Sequence, residues 1–157
     1  MTRRYGRSLH GMRCHDSASN GHWETLTILS SLRLDGSTVS VVFDGAVDRE
    51  MFDEYIQEFL VPNLRPGDIV IADNLSAHKS QKAHAAIKMK QAELIFLPAY
   101  SPDLNPIENM WSKVKQVLRG IKARTHEDLF EGIGKALKLV SASDAQGWFM
   151  SCGYTQS

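Results

Sequence analysis

Cysteine is scarce. Only Cys14 and Cys152 occur among 157 residues, which is too few for a disulfide framework, and free thiols are the simpler reading. No stretch reaches the roughly 18 uncharged apolar residues of a membrane span, so no membrane partner is expected. Met1 to His15 is basic but lacks the apolar run of a secretion signal, which makes a cytoplasmic protein the expectation. There is no glycine-rich phosphate loop, no nucleophile-elbow serine motif and no internal repeat. His10, Cys14, His15 and His22 match no zinc-finger spacing. Net charge is absent too: 18 basic and 18 acidic residues cancel, which taken whole argues against a nucleic-acid partner.

What remains is a chain with 43% hydrophobic and 23% charged residues, the composition of one soluble domain with one core. The charges are segregated. Met1 to His15 holds Arg3, Arg4, Arg7 and Arg13 with no acid; Asn74 to Ala92 holds Lys79, Lys82, Lys88 and Lys90 with no acid before Glu93. A third block holds Lys113, Lys115, Arg119, Lys122 and Arg124, whereas Asp44 to Glu58 carries six acids against Arg49 alone. Blocks of this kind either build a basic face on a neutral protein or are ordinary solvated helix faces.

Residues 1–22 show little periodicity and read as an extended basic lead-in; residues 23–157 read as the folded domain. Trp23 to Leu34 and Ser37 to Phe43 are β-prone runs joined by Asp35-Gly36, a hairpin turn signal. From Asp48, a possible N-cap, Met51, Phe52, Tyr55, Ile56, Phe59 and Leu60 recur at helical spacing up to Pro62. Ile69 to Ala72 has no alternation, as expected of a strand covered on both faces. A helix from about His78 to Gln91 carries a thin stripe at Ala83, Ala86 and Ile87, and Leu94 to Leu97 follows as a second buried strand, so a parallel strand-helix-strand unit is predicted. Asn105 and Pro106 open a helix that buries Ile107, Trp111, Val114, Leu118 and Ile121. Thr125 and Asp128 form a capping box for a further helix with Leu129, Phe130, Ile133 and Leu137 inward, and a short helix is predicted around Ala145 to Met150. Trp23, Trp111 and Trp148 read as core.

In open α/β sheets, ligands sit at the carboxyl ends of the strands. Asp73 occupies that place, whereas Asp68, at the other end of the same strand, reads as a solvated turn residue. Glu108 lies in the first turn after the next strand, and the connecting loop can return it to the same edge. Two carboxylates flanked by basic blocks suit Mg²⁺-dependent phosphodiester chemistry. The alternatives are structural: Glu108 can complete a cap on Asn105, and Asp73 beside Asn74 can form a turn.

The segments Gly67-Asp-Ile-Val-Ile-Ala-Asp73-Asn-Leu-Ser-Ala-His78 and Leu97-Pro-Ala-Tyr-Ser-Pro-Asp-Leu-Asn-Pro-Ile-Glu108-Asn-Met-Trp111 resemble the second and third acidic motifs of DDE transposases. The mariner-like bacterial insertion sequences are the most similar branch. That family separates an Asp from the final acid by 34 residues, the spacing of Asp73 and Glu108. The lead-in around Arg4-Tyr-Gly-Arg-Ser, the segment His22-Trp-Glu-Thr-Leu-Thr and the Gly153-Tyr154 ending share the resemblance.

The resemblance implies an α/β, ribonuclease-H-like fold: a mixed five-stranded sheet flanked by helices, with three acids binding two Mg²⁺ or Mn²⁺ ions. It implies cutting of DNA at transposon ends and joining of the 3′-hydroxyl to target DNA. Asp73 and Glu108 are then catalytic metal ligands, and Asn74 and His78 support them or face DNA. Lys79, Lys113, Lys115 and Arg119 are the expected DNA-binding residues, and Asp103 is expected to fix its loop. The expected partners are DNA and either an upstream transposase fragment or a second copy, in a bacterial, nucleoid-associated setting.

One departure matters. The family's first catalytic Asp lies on an opening strand ahead of the part matching Arg3 to Cys14, and this chain starts at Met1 without it, as it does without the family's helical DNA-binding domain. Asp16, Asp35 and Asp44 are not at the family's position; Asp44 is the nearest substitute. The expectation is the carboxy-terminal catalytic part of a transposase, a truncated or split-frame product, with a groove or unpaired edge where a central strand is missing. The alternative is a non-catalytic DNA-binding or oligomerising fragment that regulates a full transposase. A nuclease complete in itself would need a third carboxylate.

Overall fold

The computed structural model describes residues 26–121 and 125–154, and only the backbone of Asp44. Trp23, Asp16, Cys14 and the three histidines grouped with it lie outside the described residues. The chain opens as the hairpin expected, β1 (Leu26–Leu32) pairing antiparallel with β2 (Thr38–Asp44) in the register Leu29↔Val41. The turn needs Gly36, which sits at φ +84°, a conformation that costs glycine no Cβ clash. Arg33 N donates to Ser37 O to close it.

Asp48 caps α1 (Arg49–Glu54) by accepting from Met51 N at 2.9 Å. The helix then widens into a π-helical turn, Tyr55–Leu60, before a 3-10 turn at Val61–Asn63. This departs from a regular helix and moves one side chain. A π turn holds more residues than an α turn, so Phe59, expected inward four residues after Tyr55, is rotated out to 38% exposure while Ile56 and Leu60 stay buried.

β3 (Ile69–Ala72) and β4 (Glu93–Phe96) pair in parallel around α2 (Gln81–Met89), the unit expected. α2 starts later than predicted. Ser80 caps it by accepting from Ala83 N, and residues 76–78 form a separate 3-10 turn. Ala83 and Ile87 are fully buried. β3 is not covered on both faces: Val70 and Ala72 face the core, but Ile69 and Ile71 are 59% and 36% exposed, because no described element covers that side.

α3 (Pro106–Ile121), α4 (His126–Lys138) and α5 (Ala142–Ser151) complete the order. The Thr125–Asp128 capping box is present, and a second box, Ser141–Asp144, starts α5 earlier than expected. Two inward assignments fail by about one helical position. Met110 is fully buried, whereas Ile121 and Phe130 are partly exposed, since α3 and α4 meet along Met110, Val114, Leu118, Ile133 and Ala136.

The hairpin carries a core on each face. Leu29, Val39, Val41 and Phe43 join Phe52, Tyr55, Ile56 and Leu60, while Ile28, Leu32 and Val42 join the α3–α4 core with Trp111 and Trp148. Helices therefore flank both sides of the strands. Among the described residues the strands form two two-stranded sheets rather than one continuous sheet.

Candidate active site

Asp73 is the first residue after β3, and Leu97 N donates to Ala72 O at 2.9 Å, so β3 and β4 end at one edge. Asp73 is half-buried and its Oδ1 accepts from Leu75 N at 3.2 Å, which folds the chain sharply after the strand. His78, in the 3-10 turn that follows, returns its ring to the same carboxylate. Its buried Nδ1 abuts Asp73 Oδ1 without good hydrogen-bond geometry, and the ring stacks on Phe52 with centroids 4.3 Å apart. Asp73 therefore both forms the turn and sets its carboxylate against a histidine.

The loop after β4 leads to Glu108. Tyr100 adopts a positive φ of 58°, a 3-10 turn spans Pro102–Leu104, and Glu108 N donates to Asn105 O at 3.1 Å in the first turn of α3. Asp103 is exposed in that 3-10 turn; the bond that anchors this loop comes from Tyr154, whose Oη donates to Leu104 O at 2.9 Å. No feature of residues 97–105 alone signals this link across 50 positions.

Asp73, His78, Asn105 and Glu108 are among the residues that line one groove of about 590 Å³. Asn74 is half-buried beside Asp73. A cluster of three or more metal-ligating side chains is absent among the described residues. Asp35 lies in the hairpin turn, where hydrogen bonds from Ser37 hold its carboxyl below the usual range. Asp68 is not a solvated turn residue: Arg33 grips its carboxylate and Arg65 N donates to it at 2.7 Å, which keeps it ionised below its ordinary range.

The basic residues divide. Glu108, Ser112, Lys115 and Arg119 follow one another at spacings of four, three and four and are all exposed, so they form one stripe along α3. At 1.5 Å per residue, Lys115 and Arg119 stand about 10 and 17 Å beyond Glu108 along the axis. Lys79 is exposed one residue after His78. Lys113 lies off this stripe. Its Nζ donates to Leu139 O at 2.7 Å and pairs with Asp144 at 2.6 Å, tying α3 to the start of α5.

Residues 1–130 match the family model described as DDE superfamily endonuclease. The Tcb1 transposase of Caenorhabditis briggsae is 27% identical over 106 residues, covering 65% of this chain and 39% of its own length. The Tc1 transposase of Caenorhabditis elegans is 26% identical over 105 residues, covering 67% and 38%. These relatives are from nematodes and give no support to a bacterial insertion-sequence origin. A crystal structure of the Mos1 strand transfer complex superposes with a TM-score of 0.75 at 13% identity, over 95% of this chain and 46% of that one. The fold is thus ribonuclease-H-like, and the chain spans less than half the length of the proteins it matches.

Proposed function

Because this chain belongs to the DDE superfamily of endonucleases, we propose that it is the carboxy-terminal catalytic part of a mariner-like transposase, acting in metal-dependent cleavage and transfer of DNA strands. The observation that carries this reading is that Asp73, at the carboxyl end of β3, and Glu108, in the first turn of α3, both line one groove. Their donor set suits Mg²⁺ or Mn²⁺: oxygen ligands that are partly exposed, with room for water and phosphate oxygens. When bound, such ions activate an attacking oxygen and stabilise the leaving one.

The chain's own residues have separable roles. Asp73 and Glu108 would hold the ion. His78, stacked on Phe52 and set against Asp73, orients that carboxylate, and Asn74 stands beside it. Lys115 and Arg119 extend from Glu108 along α3 as a track for a phosphate backbone, and Lys79 offers a charge beside Asp73. Lys113 is left out of the DNA track because its ammonium is engaged by Asp144 and Leu139. The DNA partner accords with the strand transfer complex to which the fold is similar.

A second reading rests on the same groove. Among the described residues two such carboxylates line the groove, fewer than the three that the resemblance implies, which favours a fragment that binds DNA and regulates a complete transposase. Relaxation of supercoiled plasmid in Mn²⁺ separates the two. Nicking that is lost in Glu108→Gln supports the catalytic reading. Salt-sensitive DNA binding without nicking supports the regulator, and absence of both contradicts either.

A further inference from the structure

The loop between β4 and α3 has little backbone to hold it. Pro98, Pro102 and Pro106 carry no N–H, so three of the nine residues 98–106 cannot donate to a neighbouring strand or turn. The loop's own bonds are short-range: Ser101 Oγ donates to Ala99 O, Leu104 N to Ser101 O and Asn105 N to Pro102 O. They shape the loop without fixing where it lies. Among the described residues, a single hydrogen bond reaches residues 98–105 from outside the loop and α3, and it runs from Tyr154 Oη to Leu104 O at 2.9 Å.

The way α5 ends aims Tyr154 at that carbonyl. Gly153, at φ +88°, takes the left-handed conformation that glycine supplies at a helix end, and both bonds of a Schellman motif follow. Gly153 N donates to Met150 O at 3.0 Å and Tyr154 N to Phe149 O at 2.9 Å. The apolar contact that accompanies such an end is present too, with the Tyr154 ring edge-on to Phe149 and centroids 5.7 Å apart. Phe149 in turn lines the groove that Glu108 lines.

Two further contacts join α5 and its cap to the first turns of α3. Asn109 Nδ2, beside Glu108, meets Cys152 Sγ at a long 3.9 Å, and Lys113 Nζ pairs with Asp144 at 2.6 Å. The ties therefore fall on both sides of Glu108: at Leu104 four residues before it, and at Asn109 and Lys113 one and five residues after it. The turn that carries this carboxylate is bracketed by α5.

Resting on the reading of Glu108 as a metal-holding carboxylate, we propose that Tyr154 is a positioning residue for it. The hydroxyl, through Leu104 O, sets where the chain enters α3 and so where the Glu108 carboxylate stands relative to Asp73. Tyr154 lies beyond residues 1–130, the part that the family model matches. A tyrosine that served packing alone would act equally well as phenylalanine, so the hydroxyl is the group to remove.

The test uses the full chain and Tyr154→Phe, each with and without Glu108→Gln. Mn²⁺ titration followed by electron paramagnetic resonance should show affinity about fivefold weaker in Tyr154→Phe, and no further weakening where Glu108→Gln is already present. In metal-free buffer, hydrogen exchange at the Leu104, Asn105 and Glu108 amides should quicken about fivefold, while amides of β3 and β4 keep their native rates. Unchanged Mn²⁺ affinity in Tyr154→Phe, an equal loss in both backgrounds, or unchanged exchange in the loop would each overturn the proposal. No effect of Glu108→Gln on Mn²⁺ affinity would contradict the reading of Glu108 and overturn the proposal with it, a result that this variant alone tells apart from the others.

Discussion

Arg33 and Asp68 lock the end of β1 to the start of β3 through a two-pronged contact, and Arg33 Nη2 also donates to Asn63 O at 3.3 Å. Two otherwise separate sheets are thereby held in register at one end of the groove. Both side chains keep partial solvent access, 31% and 21%, so the pair is worth about 1 kcal/mol at most rather than the value of a buried fork. Asp68→Asn should lower stability by that order in urea titrations at neutral pH. The folded carboxyl titrates below its unfolded value near 4, so its contribution is present above about pH 4 and fades as the pH falls through the lower, folded value. The difference between Asp68→Asn and the native chain should accordingly shrink in acid. A constant difference across that window would contradict the assignment.

Tyr55 sets the opposite limit. Its hydroxyl donates to Val39 O at 2.9 Å and burial pushes its pKa up to about 12. A group raised above its unfolded value of about 10 gives stability that is complete below pH 10 and lost as the pH climbs through 12. Absorbance titration should therefore show one tyrosine ionising late, with loss of tertiary structure. Tyr55→Phe should remove that late step while costing roughly 1 kcal/mol for the lost hydrogen bond.

Two backbone positions should respond with opposite signs. Gly36 has a positive φ, and a Cβ there would meet Ala142 N and Ser141 C of the α5 cap at 2.8 Å. Gly36→Ala should destabilise by more than about 1 kcal/mol, since both backbone strain and a close contact oppose it. Gln91, at φ 57° just past α2, has the conformation glycine favours at a helix end, and its carbonyl accepts from Gly67 N at 2.8 Å. Gln91→Gly should raise stability by about 0.5 to 1 kcal/mol, read as a higher Tm.

Lys113 and Lys115 are two residues apart yet should behave differently. Lys115→Ala should weaken DNA binding and reduce the slope of log K against log salt by about one unit. Lys113→Ala should leave that slope unchanged and instead loosen α5, because it removes the tie to Asp144 and Leu139. Reversal of the two outcomes would move the DNA track to another face of α3.

How much of this was legible depended on whether the signal was local. The hairpin turn, the Thr125 cap and the strand-helix-strand unit follow from adjacent residues, and each was readable. The places of Asp73 just after a strand and of Glu108 in the first turn of a helix were readable because a strand end and a helix start are fixed in sequence by their flanks. The π turn at Tyr55–Leu60 was not, since its apolar spacing also fits an α-helix. Nor were the long-range bonds of Asp68, Lys113 and Tyr154, whose partners stand 35, 31 and 50 positions away. The exposed face of β3 escaped for another reason: a strand composition reports what a face prefers to meet, while cover on that face must come from another element.

The central claim is that Asp73 and Glu108 act on one divalent ion. Titration of the full chain with Mn²⁺, followed by electron paramagnetic resonance, tests it without requiring turnover. The expected result is a saturable site weakened roughly tenfold or more by Asp73→Asn and by Glu108→Gln separately, with neither variant altering the Tm by more than about 2 °C in metal-free buffer. Mn²⁺ affinity unchanged in either variant would contradict it.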